Sequence, residues 1–597
     1  MHSVTPVGKR GRRSIGFLVA AVLFGLLPSV GSAETPPSGS VSDEPISIDE
    51  LVDGILADGL SDNGRYAPSE HARRAQGAFV GTIELAGAPM MVVSDAAGGG
   101  ISNPVLGKDT ELFPDVDLSF VTVGDELVPT TQDVILNGSL ADTASYWDII
   151  VQPGRVWREP GDGRWNRAAF PLALVNAIEG DTHNGIAMFA YRERRITPVR
   201  FQVVQMTSPF YVPEYFSAWG TTDGTLRRGK MQSVGHVVAD HLRDMAGRIP
   251  VRPWSELEAL VDPATLEEFL DHADVVQGAV LHDGVLYRSE CETSAGPFPY
   301  CDEIRYGVWS MTKSAMMNAA MMRMAEKYGS EFLDEPIATY LPEASIPGWE
   351  SVTFDDLAHM ASGHGPDGDP LCYLCDYDRW YVALSEAEKT AEALDYPGPF
   401  ADPGTVFNYR DQDAYLLGVA LDAKVRHEDG AHASVWNLLR KEVYRPLGIR
   451  HAPTNATVEP DGTLGQPLMA YGYYPTLDDL AKLALLYLND GRWHGRQILD
   501  PVLVGDIAPA ATAPSGALDA SGDGSVHYHL NWWFQSLDLS EGCSMVVPQM
   551  SGWGGNTLTL LPDDTALLRI RNSWEEFSDP QESIDALADA FTESCPD

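Results

Sequence analysis

Ser310 and Lys313 stand three positions apart at the head of an apolar run, Ser314 to Tyr328. In a helix, positions i and i+3 lie on one face about one turn apart, so a hydroxyl and an amine can meet there. An alcohol needs such a neighbour to become a nucleophile at neutral pH, and a helix N-terminus favours the negative charge that develops. Ser-x-x-Lys arises by chance roughly once or twice in a chain this long, so its weight depends on its companions. Three other stretches bear on chemistry. Asp402 to Asp411 is a Pro-Gly turn running into a polar loop that presents Tyr409, and a tyrosine near an ammonium can relay a proton. Ser551-Gly552-Trp553-Gly554-Gly555-Asn556 leads into a strand, where paired glycines admit close backbone approach and an N–H can hold an oxyanion. Thr353 to Gly363 is followed by a long Gly/Asp/Pro-rich segment reaching Pro403, with Cys372, Tyr373, Cys375, Tyr377, Trp380 and Tyr381; it reads as a pocket wall or lid. Taken singly, each also has an ordinary structural reading.

The elements that must position these residues fall into two compositional halves. From about Gly77 to Gly235 the pattern is strand-like: Gly185 to Tyr191 and Val199 to Gln205 alternate or run apolar between turn residues. This predicts an all-β accessory domain, sandwich-like, over 75–250. Its aromatics Tyr211, Tyr215, Phe216 and Trp219 could form a binding face or pack against the neighbouring domain. Beyond Arg252-Pro253 come a short helix (Pro263 to Ala273) and a hairpin on the Asp283-Gly284 turn, Val275 to Leu281 and Val285 to Ser289. Helices and loops follow, including Asp478 to Asn489, then strands Thr557 to Leu561 and Ala566 to Ile570 and a final helix near Asp579 to Glu593. Strands at both ends with helices between predict an α+β domain over 251–597, one antiparallel sheet flanked by helices.

The chain has 597 residues, too many for one ordinary core, and its 44% hydrophobic and 21% charged residues are those of a globular protein. A formal charge of −44, from 41 Lys and Arg against 85 Asp and Glu, argues against nucleic acid or an anionic membrane as partner. It points to a diffuse acidic surface that aids solubility. Lys9, Arg10, Arg12 and Arg13 precede an apolar Ile15 to Val30 and a small-residue Gly31-Ser32-Ala33, which reads as a cleavable signal peptide over 1–33. A periplasmic or secreted protein is expected, without stable membrane insertion of the mature chain, and with a Pro/Ser/Gly-rich flexible leader over 34–74. Six cysteines fit an oxidising compartment, and proximity suggests Cys291–Cys301 and Cys372–Cys375, leaving Cys543–Cys595. Cys372-x-x-Cys375 lacks a second Cys/His pair at zinc-like spacing, so neither metal nor cofactor is expected.

Together these residues carry a resemblance. From roughly Val261 onward the chain resembles the serine β-lactamase/penicillin-binding-protein superfamily, and within it the esterase-like branch of family VIII carboxylesterases and 6-aminohexanoate-dimer hydrolases. Ser310-x-x-Lys313 matches the first motif, and Tyr409 falls on the tyrosine of the second, Tyr-x-Asn, with Pro403-Gly404-Thr405-x-Phe407 before it and Tyr415 to Gly418 after it. Gly472 to Ala481 and Leu486 to Asn489 resemble a helix entry common in these hydrolases. The resemblance implies a β-lactamase/transpeptidase-like domain and a serine acyl hydrolase that needs no cofactor. Ser310, Lys313 and Tyr409 would be catalytic, the N–H groups of Ser310 and Asn556 would bind the oxyanion, and Trp553, Gly554, Gly555, Asp411, Tyr373 and Tyr377 would shape the pocket.

Two departures sharpen this. Where β-lactamases and peptidases carry Lys-Thr-Gly, whose cation and hydroxyl hold a substrate carboxylate, this chain has Trp553-Gly554-Gly555, as family VIII-like esterases do. A small-molecule ester or amide therefore suits the site better than a β-lactam or peptide. Asp411 stands where the second motif has Asn, and an acid near Lys313 would keep it an ammonium able to hold Tyr409 as tyrosinate. A penicillin-binding-type DD-peptidase or β-lactamase is the nearest rival reading, and an inactive relative acting as a binding protein the next.

Overall fold

The structure, a computed structural model, describes residues 44–94, 106–212, 215–227, 234–270, 274–365, 377–395, 398–539, 544–572 and 581–592. Among them no helix is long and apolar enough to cross a membrane. Two large sheets organise the chain. The C-terminal one runs Val251–Pro253, Val285–Arg288, Val275–His282, Thr565–Arg571, Asn556–Leu561, Ser544–Gly552, Trp532–Asp538, Val526–His529, Leu518–Asp519. All its pairings are antiparallel except the first. The expected sheet built from both ends of the domain is therefore present.

Its central strands Asn556–Leu561 and Thr565–Arg571 are buried throughout, Thr559 and Arg569 included, because both faces are covered. Val280, Leu561 and Leu567 pack under the helices Pro263–Leu270 and Gln581–Phe591. On the other face, where Ala279, Leu281, Leu558 and Leu568 join the main buried cluster, the helix Leu477–Leu488 lies against Asn556–Leu561 and Thr565–Arg571. Met316 and Met317 in the turn Lys313–Asn318, and Met321 and Met322 in the helix Ala319–Tyr328 that follows it, are all fully buried. The apolar first part of this helical stretch therefore lies inside the fold, while Arg323, Glu326 and Lys327 mark the end that reaches the surface. It carries Ser310 at its entry.

The N-terminal region is sheet-rich, as expected, but its strands do not divide into the two packed sheets of a sandwich. Hydrogen bonding joins thirteen of the described strands into one sheet. Its middle is the antiparallel pair Asn166–Val175 and His183–Arg192, buried almost without interruption. The flexible leader expected over 34–74 also needs correction. From Ile46 the chain is part of the packing: Ile46, Leu51 and Tyr66 are buried, and Arg200 donates to Ser61 Oγ at 2.7 Å. Apolar residues spaced through a Pro- and Ser-rich stretch were enough to dock it. The aromatics of this region pack rather than form one face. Phe216 is in the core, Trp219 Nε1 donates to Ala57 O at 2.9 Å, and Tyr215 donates to Asn572 O.

The two sheets meet behind the helix entry. A Cβ on Gly307 would lie 2.3 Å from the Asp181 Cα, so only glycine lets the backbones touch there. Asn184 Nδ2 donates to Arg305 O at 3.0 Å, Gly307 N to Thr182 Oγ1 at 3.0 Å, and Asn455 Nδ2 to Glu179 O at 2.7 Å. Buried amides with paired partners on both sides make this a welded contact, not a sliding one.

Candidate active site

Ser310 enters its helix through a strained turn. Trp309 has φ of 47°, a left-handed conformation that a bulky side chain adopts only where its surroundings impose it. Three successive backbone bonds then wind the chain: Met311 N to Val308 O at 3.2 Å, Thr312 N to Trp309 O at 3.0 Å, and Lys313 N to Ser310 O at 3.0 Å. Lys313 opens a widened π-type turn, Lys313–Asn318, ahead of the regular helix; such turns recur at functional sites. Its amine is 1% exposed. It donates to Ser310 Oγ at 2.8 Å and to Ala470 O at 2.9 Å, and forms an ion pair with Asp411.

Asp411 begins the helix Asp411–Asp429, where a carboxylate suits the helix dipole. Its other oxygen accepts from the Tyr381 hydroxyl. Tyr409 stands two residues before it, with its ring centroid 4.9 Å from Lys313 Nζ and its face on Trp533 at 5.5 Å. The tyrosine loop is fixed by Gly404 N to Ala361 O and Asn408 N to Met360 O, both 2.8 Å, and by Asn408 Nδ2 to His364 O at 2.9 Å. The Thr353 to Gly363 stretch thus acts as the shelf under Tyr409. It is started by a Thr353/Asp356 capping box.

The glycine-rich segment forms the turn between Ser544–Gly552 and Asn556–Leu561, with Gly552 opposite Asn556. The segment comes up against the serine turn at Gly552, where a Cβ would lie 2.1 Å from Val308 O and 3.3 Å from Met311 N. Asn556 is fully buried. Its side-chain amide reaches Trp553 O at 2.9 Å and Gly307 O at 3.4 Å, and its oxygen accepts from Arg571 N at 3.0 Å. So the strand end Met550-Ser551-Gly552 lies along the serine turn, and Trp553-Gly554-Gly555 caps it.

The structure therefore brings Ser310, Lys313, Tyr409 and Asp411 together, with the Trp553 turn beside them. Tyr373, Cys372, Cys375, Cys543 and Cys595 lie outside the described residues, as does the side chain of Tyr377. Cys291 and Cys301 are bonded, with Cα atoms 5.8 Å apart, as expected. Among the described residues no group of three His, Cys, Asp or Glu could hold a metal ion.

Several neighbours were not singled out from the sequence. Lys389 is 1% exposed on the helix Glu386–Leu394 and donates to Trp380 O at 2.7 Å and Tyr381 O at 3.1 Å, with its amine 4.4 Å over the Trp380 ring. Burial drives that amine down to about 7, against the pull of the Asp411 carboxylate. Its carbonyl contacts hold the end of the helix Tyr377–Val382, which presents Tyr381 to Asp411. A lone lysine in Glu-Ala-Glu-Lys-Thr reads as solvent-facing, so nothing in the sequence marked it.

Residues 265–573, more than half of the chain, match the Beta-lactamase family. No curated protein matches the chain significantly. Solved structures that resemble it include a Bacillus anthracis protein provisionally named a 6-aminohexanoate-dimer hydrolase, at 19% identity, TM-score 0.42, over 55% of this chain and 80% of that one. A D-stereospecific amidohydrolase from Streptomyces sp. matches at 17% identity, TM-score 0.39, over 54% and 98%. A penicillin-binding protein homologue from Caulobacter crescentus matches at 16% identity, TM-score 0.37, over 57% and 96%. At such identities nothing these proteins act on transfers to this chain. The span of the family match, with the sheet and buried helix it covers, shows that the chain belongs to the Beta-lactamase family of serine hydrolases.

Proposed function

We propose that the chain is a serine hydrolase that cleaves an ester or amide through an acyl-enzyme on Ser310, acting as a carboxylesterase. The observation that carries this is the 2.8 Å contact of Lys313 Nζ with Ser310 Oγ, inside a set that also holds Asp411 and Tyr409. Asp411 favours the charged form of the Lys313 amine, and that charge favours Tyr409 as tyrosinate. Tyr409 takes the proton from Ser310 Oγ as the oxygen attacks the carbonyl carbon. The N–H of Ser310 and one N–H of the Trp553–Asn556 turn bind the oxyanion, and the close approach of Gly552 favours Trp553 over Asn556 as that second donor. The tyrosine proton then passes to the leaving group as the acyl bond breaks, and water repeats the cycle to free the acid.

Substrates bearing a carboxylate are disfavoured. The strand end beside Ser310 supplies the Ser551 hydroxyl but no cation, and the guanidinium that lies against Gly555, that of Arg571, pairs with Asp274 at 2.6 Å. A charged hydrogen bond is worth about 1.5–3 kcal/mol, enough to decide between substrate classes. We expect p-nitrophenyl esters to be turned over far faster than nitrocefin. We also expect Ser310→Ala to abolish labelling by an acyl-enzyme probe. Faster nitrocefin cleavage would move the reading to a β-lactamase, and label retained at residue 310 would refute the nucleophile. Export to the periplasm or medium belongs to the same proposal, resting on the signal-like first 33 residues.

A further inference from the structure

The segment 207–212 lies outside the family match, yet it reaches the candidate site. It leaves the strand Val199–Met206 and is tied down at several points. Thr207 N donates to Thr182 O at 3.0 Å, and Trp309 Nε1, one residue before Ser310, donates to Ser208 O at 2.8 Å. Phe210 N and Tyr211 N both donate to Glu179 Oε2 at 2.9 Å, and the Tyr146 hydroxyl holds the other oxygen of that carboxyl. A fully buried carboxyl group gripping two consecutive backbone amides fixes where the Phe210 ring can go.

That ring stands edge-on to Trp553 at 5.6 Å, nearly parallel to Tyr381 at 6.1 Å, and 6.1 Å from Trp309. Each of these three is linked to the nucleophile. Trp309 precedes it in the chain, Trp553 caps the strand end that lies along its turn, and Tyr381 bonds the Asp411 that pairs with Lys313. Phe210, Trp553 and Ser310 are all partly exposed, whereas the residues behind them are buried. A partly exposed phenyl ring on an anchored backbone, packed in a ring cluster, presents an apolar face with little left to lose on binding.

We propose that Phe210, supplied by the N-terminal sheet, is a specificity-determining residue: with Trp553, and backed by the buried Tyr381, it makes an aromatic wall beside Ser310 that selects substrates carrying a flat aryl group next to the scissile bond. This rests on the serine-hydrolase reading above and goes on to name its substrate class. An aryl group would meet the wall edge-on or offset, the arrangement such rings prefer. The wall would exist only while the N-terminal sheet is docked.

The test compares full-length wild type with Phe210→Ala, Phe210→Leu and Phe210→Tyr. Two substrate pairs separate the sides of the bond: p-nitrophenyl phenylacetate against p-nitrophenyl acetate, and phenyl acetate against ethyl acetate. On at least one pair, the aryl-to-alkyl ratio of kcat/KM should fall about tenfold in the Ala and Leu variants and stay within about twofold of wild type in Tyr. Ratios unchanged in all three variants would overturn the wall. A fluorophosphonate label mapped to Ser310 in the wild type keeps the two readings apart. Label present with unchanged ratios sinks this proposal alone. A wild type neither labelled at Ser310 nor active on any ester would sink the hydrolase reading, and this one with it.

Discussion

At the scale of single residues, the departure at Asp411 is the most telling. A carboxylate in contact with Lys313, itself held by the Tyr381 hydroxyl, makes the buried amine part of a charged pair instead of an isolated base. An opposite charge at such a distance moves a titration by about 1–3 pH units, and removing it lets the ammonium lose its proton sooner. Asp411→Asn should therefore move the alkaline limb of the kcat/KM profile to lower pH. An alkaline limb left where it was would show that Lys313 does not hold Tyr409 through its charge. Ser310, Lys313 and Tyr409 could be named from sequence because their spacing and flanks are local. Lys389 and Trp533 could not, because their importance lies wholly in what they touch.

At the scale of elements, the site is a meeting of a helix entry, a strand end and a loop. The strand end can come close only because residue 552 has no side chain: a Cβ there would overlap the Val308 carbonyl at 2.1 Å. That contact sets how far Trp553 stands from Ser310. Gly552→Ala should push the strand end away and lower kcat/KM about 100-fold, the cost of a displacement near 1 Å in a catalytic set, while the protein still folds. Ester kinetics beside a thermal melt decide it; a folded variant with near-wild-type kcat/KM would remove the strand end from the mechanism. The elements named from sequence, such as the hairpin on Asp283-Gly284 and the strands near Thr557 and Ala566, lie within a few residues of where they were expected, while the helix Asp411–Asp429 and the strand Ser544–Gly552 were not named. Leu477–Leu488, expected over Asp478 to Asn489, starts with a Thr476/Asp479 capping box. Which of the glycines comes up against the serine turn was not readable, because Gly552, Gly554 and Gly555 look alike in a string of letters.

At the scale of the whole molecule, the contact between the sheets is a buried polar layer. Burial pushes the Asp181 carboxyl up to about 8 and Glu179, with Asp181's charge beside it, up to about 7, while burial holds His183, 2.9 Å from Asp181, down to about 4. A carboxyl raised in the folded state from its ordinary 3.8 contributes stability that is complete below that value and is lost as pH rises through about 8. Asp181→Asn keeps the shape and removes the titration. Its melting temperature should therefore gain on wild type by several degrees between pH 5 and pH 8; a gap that does not widen would mean the carboxyl titrates normally. Charge count, period and motif order by themselves determined an acidic globular chain whose C-terminal half resembles the β-lactamase superfamily, because each of those signals is short and local. Only the tertiary structure decided that Ile46 onward joins the core, that the β-rich half forms one sheet, and that its Phe210 stands beside Trp553. Those outcomes depend on contacts between residues far apart in the chain, 139 positions for Ser61 and Arg200, and no local pattern encodes the partner.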